Sequence, residues 1–493
     1  MRAAGILGLL SLALAAGAAE RAIPPHPRQL SFEPARFEVP DADRYRYVLS
    51  NGVVVYVVED RSLPLVDVAV ALRAGEYLDT TEQPGVAGLT AGLLTRGGTE
   101  TLTPAELDER IEYLALDLSA VAGNIRAGAS LNCTTGVLPE ALDLFFDVLA
   151  RPRFDADRLE LAKGNLLESF KQRNDDPLAI LDRRWRSLLY GSDHFLSRQM
   201  TAAQLAAIRR DDLVAFHRRY WHPGGMVVAV SGDVETRSLL AELERRFASW
   251  PKGALPPWPP PAPVHTLVPG LYHVEKGSSQ GKIVLGHRTF QRSGWDDRRV
   301  FAATVMGELL GGRGPSSRIS GRVRTVEGLA YRAGASFSAG DHFPGELKIQ
   351  LESKNESVAL AAKLALEEVE RLRRQKPGDE ELRAIQRSIV DGFPYQFDSA
   401  EEIAGYFAED EYLGRPHSFW RDYRKNIERV SAEDVRAIAE EFLKPEAMVI
   451  LVVGKWSEIE PGDPARRASM RDFHQGAVVH LPLLDPMTLA PLP

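Results

Sequence analysis

The segment Arg324-Thr325-Val326-Glu327-Gly328-Leu329-Ala330-Tyr331 sets a fixed cationic fork and a phenolic donor seven positions apart. Brought together, a guanidinium and a phenol can hold a carbonyl oxygen as it gains negative charge, the task of an oxyanion site in acyl transfer. By residue type alone the same pair also suits a surface charge and a packing ring. Other chemistry-bearing residues form no recognisable set. Among the eleven histidines no two are spaced i, i+4, so no helix can carry His-Glu-x-x-His or His-x-x-Glu-His. His217 and His222 come nearest, but they stand five apart with Pro223 following, a spacing that splays the rings and reads as helix-end packing. His474 and His480 lie near the C-terminus and form no ligand set.

Gly311-Gly312-Arg313-Gly314-Pro315-Ser316-Ser317 lacks both the Lys-Ser/Thr of a phosphate loop and the spacing of a dinucleotide turn, and reads as a glycine-rich loop leaving a helix. A dispersed Ser-His-Asp triad stays open, because geometry rather than order defines one. Cys133, the sole cysteine, can form neither an internal disulfide nor a cysteine-rich metal site, and its apolar surroundings predict a buried small side chain.

The elements that must position these residues come in two sets. Val53 to Val58 and Val66 to Leu72 are β-branched runs that read as strands. Thr103-Pro104-Ala105-Glu106 carries the signature of a capped helix start, and Glu140 to Ala150 and Ser357 to Arg374 have helical apolar spacing. Asp212, Pro223, Met226 and Gly232 recur as Asp434, Pro445, Met448 and Gly454, every pair 222 positions apart, each copy closing with an apolar run that ends at glycine. The string Arg126-Ala127-Gly128-Ala129-Ser130 recurs as Arg332-Ala333-Gly334-Ala335-Ser336 and reads as part of the same duplication. A period this long implies two similar domains, not a solenoid. Seven prolines between Pro251 and Pro263 mark a linker between the copies. The expected fold is α+β: two homologous domains of sheet covered by helices, residues 40–250 and 268–456, joined by a Pro-rich linker at 251–267 and followed by a tail, 457–493, that packs as an extended strap with no assigned chemistry.

The 493 residues, 44% hydrophobic and 26% charged, suffice for large cores and exclude a disordered or disulfide-stapled chain. A net charge of −8 argues against a dedicated nucleic-acid binder. Met1-Arg2, the apolar run Ile6 to Ala16 and Ala16-Gly17-Ala18 make a secretory signal peptide over residues 1–18, ahead of an N-terminal extension at 19–39. The run is too short to span a bilayer, so an exported chain with no membrane span is expected, periplasmic first and secreted otherwise.

The order of segments resembles the insulinase/pitrilysin metallopeptidases, in their bacterial and mitochondrial-processing-peptidase-like branch, from Leu49-Ser50-Asn51-Gly52-Val53 to about Gly454. A segment like Gly85-Val86-Ala87 leads into that family's zinc helix, and Trp221-His222-Pro223 to Gly232-Asp233 is similar to its pattern near the end of the first domain. Under this alignment His-x-x-Glu-His falls on Gly88, Leu89, Thr90, Ala91 and Gly92, so the two histidines and the glutamate are replaced by Gly88, Gly92 and Ala91. Glu168 matches the distant third ligand and, left alone, reads as a solvated helix residue. Arg324 and Tyr331 match the family's second-domain pair, with Gly328-Leu329 between them. The resemblance implies a chain with no metal of its own, paired with a homologous subunit that bears His-x-x-Glu-His and its zinc, and completing that partner's site on peptide substrates. The alternative is an inert scaffold or peptide-binding protein of the same fold, as in related respiratory-complex subunits. A third reading, a hydrolase using unrelated residues, has no motif behind it.

Overall fold

The β-branched runs build two six-stranded mixed sheets. The computed structural model describes His26, residues 37–312, Gly314 and residues 316–492. The signal-peptide reading of residues 1–18 and nearly all of the 19–39 extension lie outside the described residues. The first sheet is formed by β1 (Arg46–Val48), β2 (Val54–Glu59), β3 (Leu65–Leu72), β4 (Asp117–Ala122), β5 (Ala127–Thr134) and β6 (Val227–Gly232), in the order β1-β2-β6-β3-β5-β4. The second is formed by β7 (Gly270–Glu275), β8 (Gln280–Arg288), β9 (Ala330–Phe337), β10 (Glu346–Lys354), β11 (Val449–Gly454) and β12 (Val478–Leu481), in the order β12-β7-β11-β8-β10-β9.

Five strands of each sheet share one topology. β2 pairs parallel to β6 as β7 does to β11, and the remaining pairs among the five are antiparallel in both. The duplication is therefore real, and its 222-residue offset places β6 on β11. The shared string Arg-Ala-Gly-Ala-Ser is not part of it. The string falls on β5 in the first sheet but on β9 in the second, and β9 is the counterpart of β4. The small residues answer different neighbours: a Cβ on Gly128 would meet the Val70 carbonyl of β3 at 2.6 Å, and one on Gly334 the Gly311 carbonyl at 3.0 Å.

Burial explains why β6 and β11 are continuous apolar runs. Val227 to Ser231 are all buried, and so is every residue of β11, so both faces of these central strands are covered. One face meets the helices of the strand's own half. The other is covered by a helix from the opposite half. The helix Pro177–Tyr190 lies on β8 and β11, where Ile180, Leu181, Trp185 and Leu189 form a core with Val284, Val449, Leu451 and Val453. In return the helix Ala400–Leu413 lies on β2, β3 and β6. There Phe407 meets Tyr56 with ring centroids 6.0 Å apart, and the Tyr56 hydroxyl donates to Glu411 at 3.0 Å. The two halves thus exchange covering helices.

The segment joining the halves has no regular secondary structure, yet it is held in place. Tyr77 donates its hydroxyl to the Pro257 carbonyl at 3.2 Å, Arg73 stacks 4.2 Å over Trp258, and Arg288 donates to the His265 carbonyl at 2.7 Å. The tail does more than strap. Its strand β12 adds a sixth member to the second sheet, parallel to β7. Beyond it, Asn174 donates to the Leu484 carbonyl at 2.7 Å and Arg173 to that of Pro486 at 2.9 Å, tying the C-terminus to the first half.

Candidate functional site

The helix Arg298–Gly311 runs under β9 and ends where a Cβ on Gly311 would stand 2.2 Å from the Ala335 nitrogen. Only glycine allows that approach. The glycine-rich loop leaves this helix as expected, and the chain re-enters helical form at Arg318–Ser320, which continues as a π-helix over Gly321–Val326. Wide π turns are rare and concentrate at functional sites. Arg324 sits on this turn. Gly328, at φ +65°, then swings the chain into edge strand β9.

The register of β9 against β10 slips at its start. Arg332 faces Glu352 and Ala330 faces Ser353, which leaves Tyr331 as the unpaired residue of a β-bulge. The bulge aims the phenol off the sheet. Tyr331 is 81% exposed, and the Arg324 guanidinium carbon lies 5.3 Å from its ring centroid. Such a cation–π contact at an exposed site contributes about 0.5–1 kcal/mol. Among the described residues neither side chain makes a hydrogen bond or ion pair within the chain, so both donors are unspent. They face a cavity of 470 Å³ whose walls include Gly311, Gly312, Arg332 and Lys348. The tail anchors the loop between them: Arg467 pairs with Glu327 at 2.8 Å while gripping Asp463 at 3.1 Å. This positioning contact had no sequence signal.

The other candidate residues lie on the helix Val86–Leu94 of the first half. Asp79 starts that helix by accepting from the backbone N–H groups of Gly85 at 2.7 Å and Ala87 at 2.9 Å. Burial pushes the Asp79 carboxyl up to about 7, against the pull of those two bonds. Ala91 is fully buried, and a Cβ added at Gly88 or Gly92 would meet nothing within 4 Å. The two glycines instead form one wall of a 500 Å³ cavity, closed opposite by Leu161, Ala162, Asn165 and Leu166 of the helix Ala156–Lys171. Glu168 is not on that wall. It is exposed and bonds Lys171 at 2.6 Å, one turn along its own helix. The residue facing Gly88 and Gly92 is Asn165, which sequence reasoning missed.

This donor set does not fit zinc. Two hydrogens and a methyl stand where imidazoles and a carboxylate are needed, and the one carboxylate lining the cavity, Glu76, shares it with Arg96, Arg158 and the neutral amide of Asn165. Among the described residues no group of three or more His, Cys, Asp or Glu could hold a metal ion. His217 and His222 act as packing groups: Nε2 of each bonds a backbone carbonyl, of Leu149 at 2.7 Å and of Ala254 at 3.2 Å. Cys133 is 1% exposed, and burial raises its thiol to about 11. No helix among the described residues is long and apolar enough to cross a membrane.

Comparison with known proteins finds relatives along most of the chain. The family model described as Insulinase (Peptidase family M16) matches residues 54–195, and that described as Peptidase M16 inactive domain matches residues 207–389. An uncharacterized zinc protease of Mycobacterium tuberculosis is 27% identical over 423 residues, covering 85% of this chain and 94% of that protein. A non-peptidase homolog of Helicobacter pylori is 24% identical over 396 residues, covering 78% of this chain and 87% of that one. The crystal structure of a peptidase M16 inactive domain from Pseudomonas fluorescens superposes with a TM-score of 0.75 at 26% identity, covering 83% of this chain and 97% of that chain.

Proposed function

The chain belongs to the insulinase (peptidase M16) family, and on that premise we propose that it is the non-zinc subunit of an exported heterodimeric peptidase, completing a site whose metal is held by a homologous partner. The observation that carries this reading is the state of Arg324 and Tyr331: adjacent, exposed, aimed by a π turn and a bulge, and without a structural partner. π turns and β-bulges are both enriched next to functional sites. The partner's zinc supplies Lewis acidity toward the peptide. This chain's guanidinium and phenol donate to the scissile carbonyl oxygen as it becomes an oxyanion, and their cavity seats the peptide around it.

A tagged pull-down from envelope extract, followed by mass spectrometry, is expected to recover a similar-sized chain bearing His-x-x-Glu-His. In the reconstituted pair, Tyr331→Phe lowers kcat by roughly 10²–10³ with KM and assembly unchanged. The isolated chain is expected to cleave nothing. The name of the Helicobacter pylori relative favours a second reading, an inert scaffold, under which Arg324→Ala and Tyr331→Phe are both silent.

A further inference from the structure

Trp221-His222-Pro223 borders a cavity that the peptidase reading leaves unused. It encloses 520 Å³ between the ends of the helices Leu138–Ala150 and Arg210–Tyr220 and the start of the joining segment. Its wall carries Arg151, Arg153, Arg210, Arg218 and Lys252 against the single carboxylate of Glu100. Arg151 is paired to Asp147 at 2.7 Å, and Arg210 lies 3.9 Å from Asp211. Two of the guanidinium groups are also oriented by carbonyls, which fix direction without cancelling charge. Arg153 donates to Thr99 O at 2.9 Å, and Arg210 donates to Arg153 O at 2.7 Å and Phe154 O at 3.0 Å. Arg218 and Lys252 make no hydrogen bond or ion pair among the described residues.

Behind the wall, two polar atoms are sealed from the cavity and from solvent. The indole Nε1–H of Trp221, a residue 1% exposed, donates to nothing, and the Nδ1 of His222 accepts nothing while Nε2 is committed to Ala254. Trp250, half-buried, gives the cavity an aromatic side, with Trp221 and Phe154 buried behind the wall.

We propose that this cavity binds a phosphate monoester carrying a ring or other apolar group. A phosphate monoester brings a charge near −2 and three acceptor oxygens, which match guanidinium forks better than a single carboxylate does. A half-open cavity of 520 Å³ is the size of a small ester or one headgroup. The ester's apolar part packs on Trp250, the ring on this wall that is only half-buried. This assignment stands apart from the peptidase reading.

The test is calorimetric titration of the full chain with phenyl phosphate, with phenol and inorganic phosphate as controls. Saturable binding of phenyl phosphate, tighter than inorganic phosphate and absent with phenol, is expected. Arg218→Gln and Lys252→Gln change exposed side chains with no role in the fold, and each is expected to weaken binding about tenfold without moving the unfolding midpoint. Flotation with phosphatidate vesicles against phosphatidylcholine vesicles distinguishes sources: capture lost in both variants identifies a lipid headgroup, and calorimetric binding without capture identifies a soluble ester. No saturable heat with phenyl phosphate and no vesicle capture overturns the proposal. So does affinity unchanged in both variants, or equal affinity for inorganic phosphate.

Discussion

Trp185 belongs by sequence to the first half and by packing to the second, and replacing it tests the exchange of helices directly. Its side chain is 1% exposed, is buried in the core that the helix Pro177–Tyr190 makes with β8 and β11, and donates Nε1–H to Glu346 at 3.2 Å. Its ring also rests against the bare Cα of Gly286, where a Cβ would stand 3.3 Å from the indole. Trp185→Ala opens a cavity in a two-sided core, a change that costs about 3–5 kcal/mol. That is a large share of the ~5–15 kcal/mol typical of a folded domain. Urea unfolding measures the total, and hydrogen exchange read by mass spectrometry locates it. Amides in β7, β8 and β11 are expected to exchange faster, although the substitution lies before the joining segment. Phe407→Ala, at a fully buried position on the reciprocal helix, should mirror this by loosening β2 and β6. Faster exchange confined to peptides of the substituted half would refute the exchange of helices.

Burial holds the His217 imidazole down to about 4, with the Leu149 carbonyl pulling weakly the other way. The folded state therefore binds fewer protons than the unfolded chain, and stability falls as pH drops from about 6.5 toward 4, by about 3 kcal/mol in all. The Asp79 carboxyl, raised to about 7, contributes with the opposite sign over this range, so the His217 slope is read as the difference in urea stability between the wild-type chain and His217→Phe from pH 7 to 4, the variant costing about 1–3 kcal/mol at neutral pH for the unpaired Leu149 carbonyl. Gly88→His with Gly92→His should fold, because each new Cβ enters open space. Equilibrium dialysis is expected to find weak zinc binding in this double variant, and binding at least about tenfold tighter once Asn165→Glu supplies the third donor. Adding Glu168→Gln to that triple variant should change nothing, and loss of zinc would place Glu168 inside the site after all.

Much of the fold was legible because local signals and tertiary packing agree. Thr103 and Glu106 close the capping box at the start of Pro104–Tyr113, and the runs read as strands became β2 and β3 within a residue or so. The apolar run from Val227 to Val230 signalled burial on both faces, but not which helix provides the second cover, since a helix shows the same amphipathic spacing whichever sheet it meets. The repeated Arg-Ala-Gly-Ala-Ser misled for a related reason: short strings of small residues report close packing and carry no register. Arg324 and Tyr331 were visible by type, whereas the bulge that aims Tyr331 depends on pairing with β10, more than fifteen residues later. Glu168 matched a ligand position only through the family resemblance, and its reading as a solvated helix residue holds: it is exposed and pairs with Lys171. The rotation of its helix about its own axis, set by packing, turned Asn165 toward the cavity instead.

The exchanged helices also set the order in which this chain can be completed during synthesis. The first sheet has all its strands once β6 leaves the ribosome, yet the helix that covers its second face ends at Leu413, roughly 180 residues later. At about 5–20 residues per second that interval is on the order of 10–40 s. Through it the apolar outer faces of β2 and β6 wait unpaired, a nascent-chain surface that invites a holding chaperone or a wrong neighbour. The duplicated architecture therefore gives up the usual advantage of a two-domain chain, in which the first domain is finished before the second begins.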